Sequence, residues 1–238
     1  MANEKRLLLG GLLLGTLLRI AHTASSIGSP DAVLWFRNME LLNQAGIRAA
    51  YLWTPGLNHP PLALALAQGA YKLGARMGLN FPDSFRILTI LADLATALLL
   101  LRIAKSQAAL IFFLSPAAIF ISGFHCNSDP IMVMFVVAAI VALLEGWPLA
   151  AGVLIACAAS IKVIALVALP LLLFTLRGRA VVRFLLGGAL TAIVVFGPAF
   201  LVSGPVLLRN VFLYTGSKTA WGLPFLAQQL GLRGVGAW

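Results

Sequence analysis

The chain has 238 residues, of which 61% are apolar and 10% charged, and a net charge of +10. A soluble domain carries about 25% charged residues, so a water-coated globule is excluded. The basic residues flank apolar runs, where they orient a membrane protein and meet anionic lipid, so nucleic acid is excluded as the partner. Cys126 and Cys157 match no metal-ligand spacing and imply no disulfide framework. No GxGxxG or GxxxxGK[ST] occurs, so neither a soluble nucleotide-sugar domain nor an ATPase is encoded.

Apolar runs predict an all-α, polytopic membrane helix bundle of about seven transmembrane helices, forming one domain over 1–238. The first run, 7–22, follows Lys5 and Arg6 and is read as a retained helix rather than a cleaved signal. A long outer loop follows at 23–83. Ser29 suits an N-cap and Pro30 the first helical position, so an amphipathic helix is expected over 30–45. Its face of Ala32, Trp35, Phe36, Met39 and Leu42 is expected to lie on the membrane, and Gly46 to end it. A second juxtamembrane helix, interfacial or re-entrant, is expected over 60–77.

Spans two to four are expected at 85–101, 108–124 and 131–144. Residues 148–176 are apolar but interrupted at Ser160-Ile161-Lys162. One helix would be about 44 Å long against a hydrocarbon core of about 30 Å, with Lys162 near its middle. Two short helices meeting at Lys162 avoid that charge, giving spans five and six. Span seven is 181–202, and an outer loop, 203–238, closes the chain. A cytoplasmic N-terminus then places Lys5/Arg6, Arg102/Lys105 and Arg177/Arg179/Arg183 on the cytoplasmic side. It places 23–83, the Cys126-Asn127-Ser128-Asp129 turn, Lys162 and the tail together on the outer face.

That convergence marks the candidate site. Asp31 suits a general base for an acceptor hydroxyl, although an acid in a helix's first turn also complements the helix dipole. Asn58 and His59 suit hydrogen bonds at headgroup level, while the prolines after them start a helix. Asp129 with Pro130 suits a helix cap, yet His125 and Asn127 are more than a cap requires. Lys162 suits a lipid phosphate and, equally, snorkelling to the interface. Asp93 is a mid-span acid with no partner evident in the sequence. Tyr214, Lys218 and Trp221 sit in a loop-like stretch suited to covering a site.

In this order the chain resembles the GT-C superfamily of membrane glycosyltransferases. The resemblance rests on Ser29-Pro30-Asp31 after the first span, then Asn58-His59-Pro60-Pro61-Leu62. It continues with His125-Cys126-Asn127-Ser128-Asp129-Pro130, Lys162 between two short helices, and Trp221-Gly222 after span seven. It implies transfer of mannose or another hexose from a polyprenyl-phosphate carrier to an acceptor hydroxyl, with inversion, at the outer face of a bacterial plasma membrane. Asp31 would be the catalytic base, assisted by Asp129 and His125. Lys162 would meet the donor phosphate, with Arg48 or Lys218 helping. Asn58, His59, Asn127, Lys218 and Trp221 are the remaining substrate-binding candidates. The lipid-linked sugar and membrane lipid are the expected partners, with no cofactor and a divalent metal left open. Such enzymes run beyond seven spans, so a fragment is expected. The principal rival is a transporter or flippase using Asp93, Asp129 and Lys162, although no repeat related across a membrane is evident. The other is a non-catalytic scaffold, in which Asp31, His125 and Lys162 lie far apart.

Overall fold

A computed structural model describes residues 2–54 and 56–214. Every regular element in them is helical. They are α1 (Ala2–Ser25), α2 (Pro30–Trp53), α3 (Pro61–Arg76), α4 (Phe81–Ile103), α5 (Ser106–Phe113) and α6 (Pro116–Phe120). A π-helical turn (Ile121–His125) leads to α7 (Asp129–Leu144) and α8 (Pro148–Ala159). A 3-10 segment (Val163–Ala168), α9 (Leu169–Phe174), α10 (Arg179–Ser203) and α11 (Pro205–Phe212) complete the order. Prolines open most of these helices, because a first-turn residue needs no backbone N–H donor.

The protein is a helical membrane protein. α1, α4 and α10 are long and apolar enough to cross a bilayer, and the pair 106–125, bent by 48°, is either a broken fourth span or a re-entrant loop. The bend falls at Leu114-Ser115, where Ser115 caps α6 and Pro116 starts it. α7 and α8 have 16 and 12 residues, about 24 and 18 Å at about 1.5 Å per residue, short of a core of about 30 Å. Side-chain contacts join α1, α4, the 106–125 pair and α7 at two ends. At one end Ser106 donates to Glu4 and Arg102 pairs with Glu145 at 3.2 Å. At the other, Thr23 donates to the Gly123 carbonyl and Cys126 lies against the Pro82 carbonyl. Exposed Leu9, Leu13, Ile193 and Val194 on α1 and α10 form the apolar outer surface.

α8 and α10 pack backbone to backbone. A Cβ at Gly152 would collide with the Phe184 carbonyl, and one at Gly187 with the Leu149 carbonyl, the small-residue approach that membrane helices use in place of a hydrophobic effect. Between helices, Arg19 is fully buried and pairs with Asp93, which the sequence left unpartnered.

Three expectations change. Gly46 does break the first amphipathic helix (φ 79°, ψ 175°), but the helix resumes to Trp53. Its apolar face does not lie on lipid: Ala32, Trp35, Met39 and Leu42 are buried in the main core with Phe81 and Phe85. Burial against α3 and α4 removes these four from both water and lipid, while Phe36 on the same stripe stays exposed. Third, Ser128 rather than Asp129 precedes α7, and Asp129 is its first residue. The Asp129 carboxylate is thereby released from capping. The break near Lys162 is as expected: its backbone is extended (φ −146°, ψ 130°) between α8 and the 3-10 segment.

Candidate functional site

The site assembles where the breaks of four segments meet. Ser29 begins it. Its hydroxyl accepts from the Asp31 N–H at 3.3 Å and donates to the His125 carbonyl at 2.9 Å. One residue therefore caps α2 and ties the cap to the end of the π-helical turn. Gly28 just before has φ 102°, and a Cβ there would strike the Arg86 guanidinium and the Phe124 carbonyl. Arg86, fully buried on α4, donates to the carbonyls of Thr23, Ser26 and Ile27, which holds the α1–α2 connection against the bundle. As a result Asp31 Oδ2 lies 3.2 Å from His125 Nε2.

The π-helical turn ends in Cys126, in the left-handed region at φ 60°. This reverses the chain and separates His125, directed to α2, from Asn127 and Asp129 beyond. Asn127 Oδ1 accepts from the Asp129 N–H at 3.3 Å. Asp129 Oδ1 lies 2.5 Å from Lys162 Nζ, and both side chains remain partly exposed. Cys126 is buried against Pro82, and burial pushes its thiol up to about 12, so it stays a thiol.

The 54–60 loop supplies the third side. The Ala63 N–H, shared with the Pro60 carbonyl at 3.1 Å, also donates to the Ser160 carbonyl at 3.2 Å and docks this loop onto the break before Lys162. Tyr51 Oη donates to the His59 carbonyl at 2.8 Å, and Asn210 on α11 donates to the Tyr51 carbonyl at 2.8 Å. The His59 ring stacks on Trp35 at 4.3 Å between centroids, and Phe85 packs on Trp35 at 5.4 Å. Desolvation, aided by the Lys162 charge, lowers the His59 pKa to about 3, so His59 is neutral.

These groups surround a cavity of about 220 Å³ lined by Asp31, Trp35, Asn38, Asn58, His59, Asn127, Lys162 and Tyr214, among others. Of the residues picked from the sequence, Asp31, Asn58, His59, Asn127 and Lys162 thus share one cavity. His125 and Asp129 each touch one of its charged members. The separation expected of a scaffold is absent: Asp31, His125 and Lys162 converge. Arg48 is exposed and does not line the cavity. Lys218 and Trp221 lie outside the described residues. Trp35 and Asn38 were missed as site residues. Trp35 was assigned to a lipid-facing stripe, and only its burial reverses that; an asparagine on the same helical face was the available signal. Among the described residues no three His, Cys, Asp or Glu side chains form a metal-ligand group.

Beside the cavity runs a second space of about 750 Å³, almost wholly apolar, between α8, the 3-10 segment, α10 and α11. Ser160 and Val163, on either side of Lys162 in the chain, line it together with Phe184, Phe196, Phe200 and Phe212, while Lys162 itself does not.

A helical membrane protein with a small polar cavity opening beside a long apolar groove is the class this geometry defines. Residues 42–178, more than half of the chain, match the family described as Alpha-(1->6)-mannopyranosyltransferase, N-terminal domain, and the chain belongs to that mannosyltransferase family. The match takes in Asn58, His59, His125, Asn127, Asp129 and Lys162, and begins after Asp31 and Trp35. No curated protein and no solved structure matches the chain.

Proposed function

We propose that this protein transfers mannose from a polyprenyl-phosphate carrier to an acceptor hydroxyl, with inversion, in a GT-C-type site facing outward from the membrane. The family supports the sugar and the α-(1→6) linkage. Inversion then requires a β-linked mannosyl donor, because each displacement at the anomeric carbon exchanges its faces. One observation carries the reading: Asp31 and Lys162 line the same cavity, and Ser160 and Val163, on either side of Lys162 in the chain, line the apolar groove. A base and a cation for a phosphate thereby share one cavity, and the residues next to that cation line a space for an isoprenoid chain.

In the reaction the acceptor oxygen bonds to C1 of mannose as the C1–O bond to phosphate breaks. The hydroxyl proton passes to the Asp31 carboxylate. The bonding pair leaves on the phosphate oxygen, whose charge is met by Lys162. His125 Nε2, 3.2 Å from Asp31 Oδ2, holds that oxygen and leaves the other for the acceptor. Asp129 holds the Lys162 ammonium in place before the donor arrives. Arg102 pairs with Glu145 at the end of α7 opposite Asp129, and with Lys5/Arg6, Lys105 and Arg177/Arg179/Arg183 in the other short loops this supports the outward orientation.

The test is a donor panel on membranes containing the full chain. β-Mannosyl polyprenyl phosphate should be used and α-(1→6)-linked product recovered. Transfer from a nucleoside-diphosphate mannose, with none from the polyprenyl donor, would refute the lipid-linked reading.

A further inference from the structure

We infer that His59 reads a hydroxyl of the donor's mannosyl ring through its Nε2 edge, and that Trp35 is the positioning residue that holds it there. The inference rests on the proposed donor. In a back-side displacement the leaving phosphate and the incoming hydroxyl lie on opposite sides of C1. A ring held between Lys162 and Asp31 therefore occupies the cavity both residues line. At about 220 Å³ that cavity is smaller than the roughly 300–1,000 Å³ of drug-sized ligand sites, a size suited to one ring.

His59 lines this space with one usable edge. Its Nδ1 is buried with no hydrogen-bond partner among the described residues, which leaves Nε2 for the cavity. The ring cannot turn freely. Trp35 covers one face, Phe85 backs Trp35, and the Tyr51 hydroxyl pins the His59 carbonyl. Such fixation is unneeded for packing alone and leaves a buried polar atom unsatisfied, at a cost in stability. The neutral state matters to the assignment. A charged imidazole beside Lys162 would be a second phosphate cation, whereas a neutral one recognises uncharged hydroxyls. Asn38, buried on the same face of α2 and lining the same cavity, is the neighbouring amide for a second hydroxyl.

A deoxy-sugar cycle tests this. Wild-type chain and His59→Phe, which keeps a stacking ring, are assayed with β-mannosyl polyprenyl phosphate and with donors lacking one ring hydroxyl at a time. Wild type should lose about ten-fold in kcat/KM on one deoxy donor. His59→Phe should lose a similar factor on the full donor, and nothing further on that deoxy donor. His59→Gln should recover part of the loss, acceptor KM should not move, and Trp35→Leu should raise donor KM where Trp35→Phe does not. Equal losses across all deoxy donors in both proteins, or a change confined to acceptor KM, would overturn the assignment. Thermal melts in detergent separate these effects from misfolding, with His59→Gln as the mildest variant. If wild type uses only a nucleoside-diphosphate mannose, the donor reading fails, and the same cycle on that donor still decides the role of His59. Transfer from neither donor overturns both.

Discussion

Two sets of charges in this bundle are built in opposite ways. Arg19 and Asp93 meet at 2.9 Å inside the helices, and all three guanidinium nitrogens are engaged. Nε reaches Asp93 and Ser122, Nη1 the Gly15 and Phe113 carbonyls, and Nη2 Asp93. Lys162–Asp129 and His125–Asp31 are partly exposed and leave donors and acceptors unused at a cavity edge. A closed pair cements helices, because opening it strands a charge in low dielectric. An open pair can exchange one partner for a ligand at little cost. Intramembrane charge is therefore no sufficient mark of a site; spare valence beside a cavity is.

The sharpest test of this contrast is Asp31→Asn. Transfer should fall about 10²- to 10⁴-fold, the worth of a positioned base, while the melting temperature and membrane insertion hold. Retention of full activity would remove Asp31 from the mechanism. Arg19→Met should do the reverse. It should cost about 3–5 kcal/mol of stability in denaturant titrations, with little change in rate per folded molecule. Adding Asp93→Leu should restore most of that loss, and failure to do so would mean that the pair does more than cement. Lys162→Met should lower transfer about 10²- to 10³-fold with a near-normal melt, and Asp129→Asn should lower it less, because Asp129 acts through Lys162.

The smallest effect is a pH dependence. His59 in the folded chain titrates at about 3, below the ordinary value of about 6.5. The unfolded chain thus takes up its proton first. Stability should be full above about pH 6.5 and decline as pH falls toward 3, by at most about 1.4 kcal/mol per pH unit. Melting curves between pH 7 and 4.5 should show the decline, and His59→Gln should flatten it.

Much of this was legible in the chain. Apolar runs located the segments, since about 20 apolar residues have few fates other than a membrane. Lys162 located the break in 148–176, because a charge cannot be centred cheaply. Asp31, His125, Asn127 and Lys162 were legible as polar groups stranded at segment ends, which the fold brings together around one cavity. What remained hidden depended on neighbours. The α2 stripe read as lipid-facing, because an amphipathic helix shows the same pattern whether its apolar face meets lipid or α3 and α4. Asp129 was legible as both a cap and a site residue, but its pairing with Lys162 was not, since a carboxylate beside a helix start looks the same until Lys162 arrives across the fold.

Membrane character, segment order and the residues with chemistry to offer were determined by the sequence itself, because hydropathy and local capping act over a few adjacent positions. Which charge closes on which, that Trp35 faces His59 rather than lipid, and that Asp31 and Lys162 line one cavity were decided by tertiary structure alone. Those are matters of packing between segments up to a hundred or more residues apart, and no local pattern in the chain encodes them.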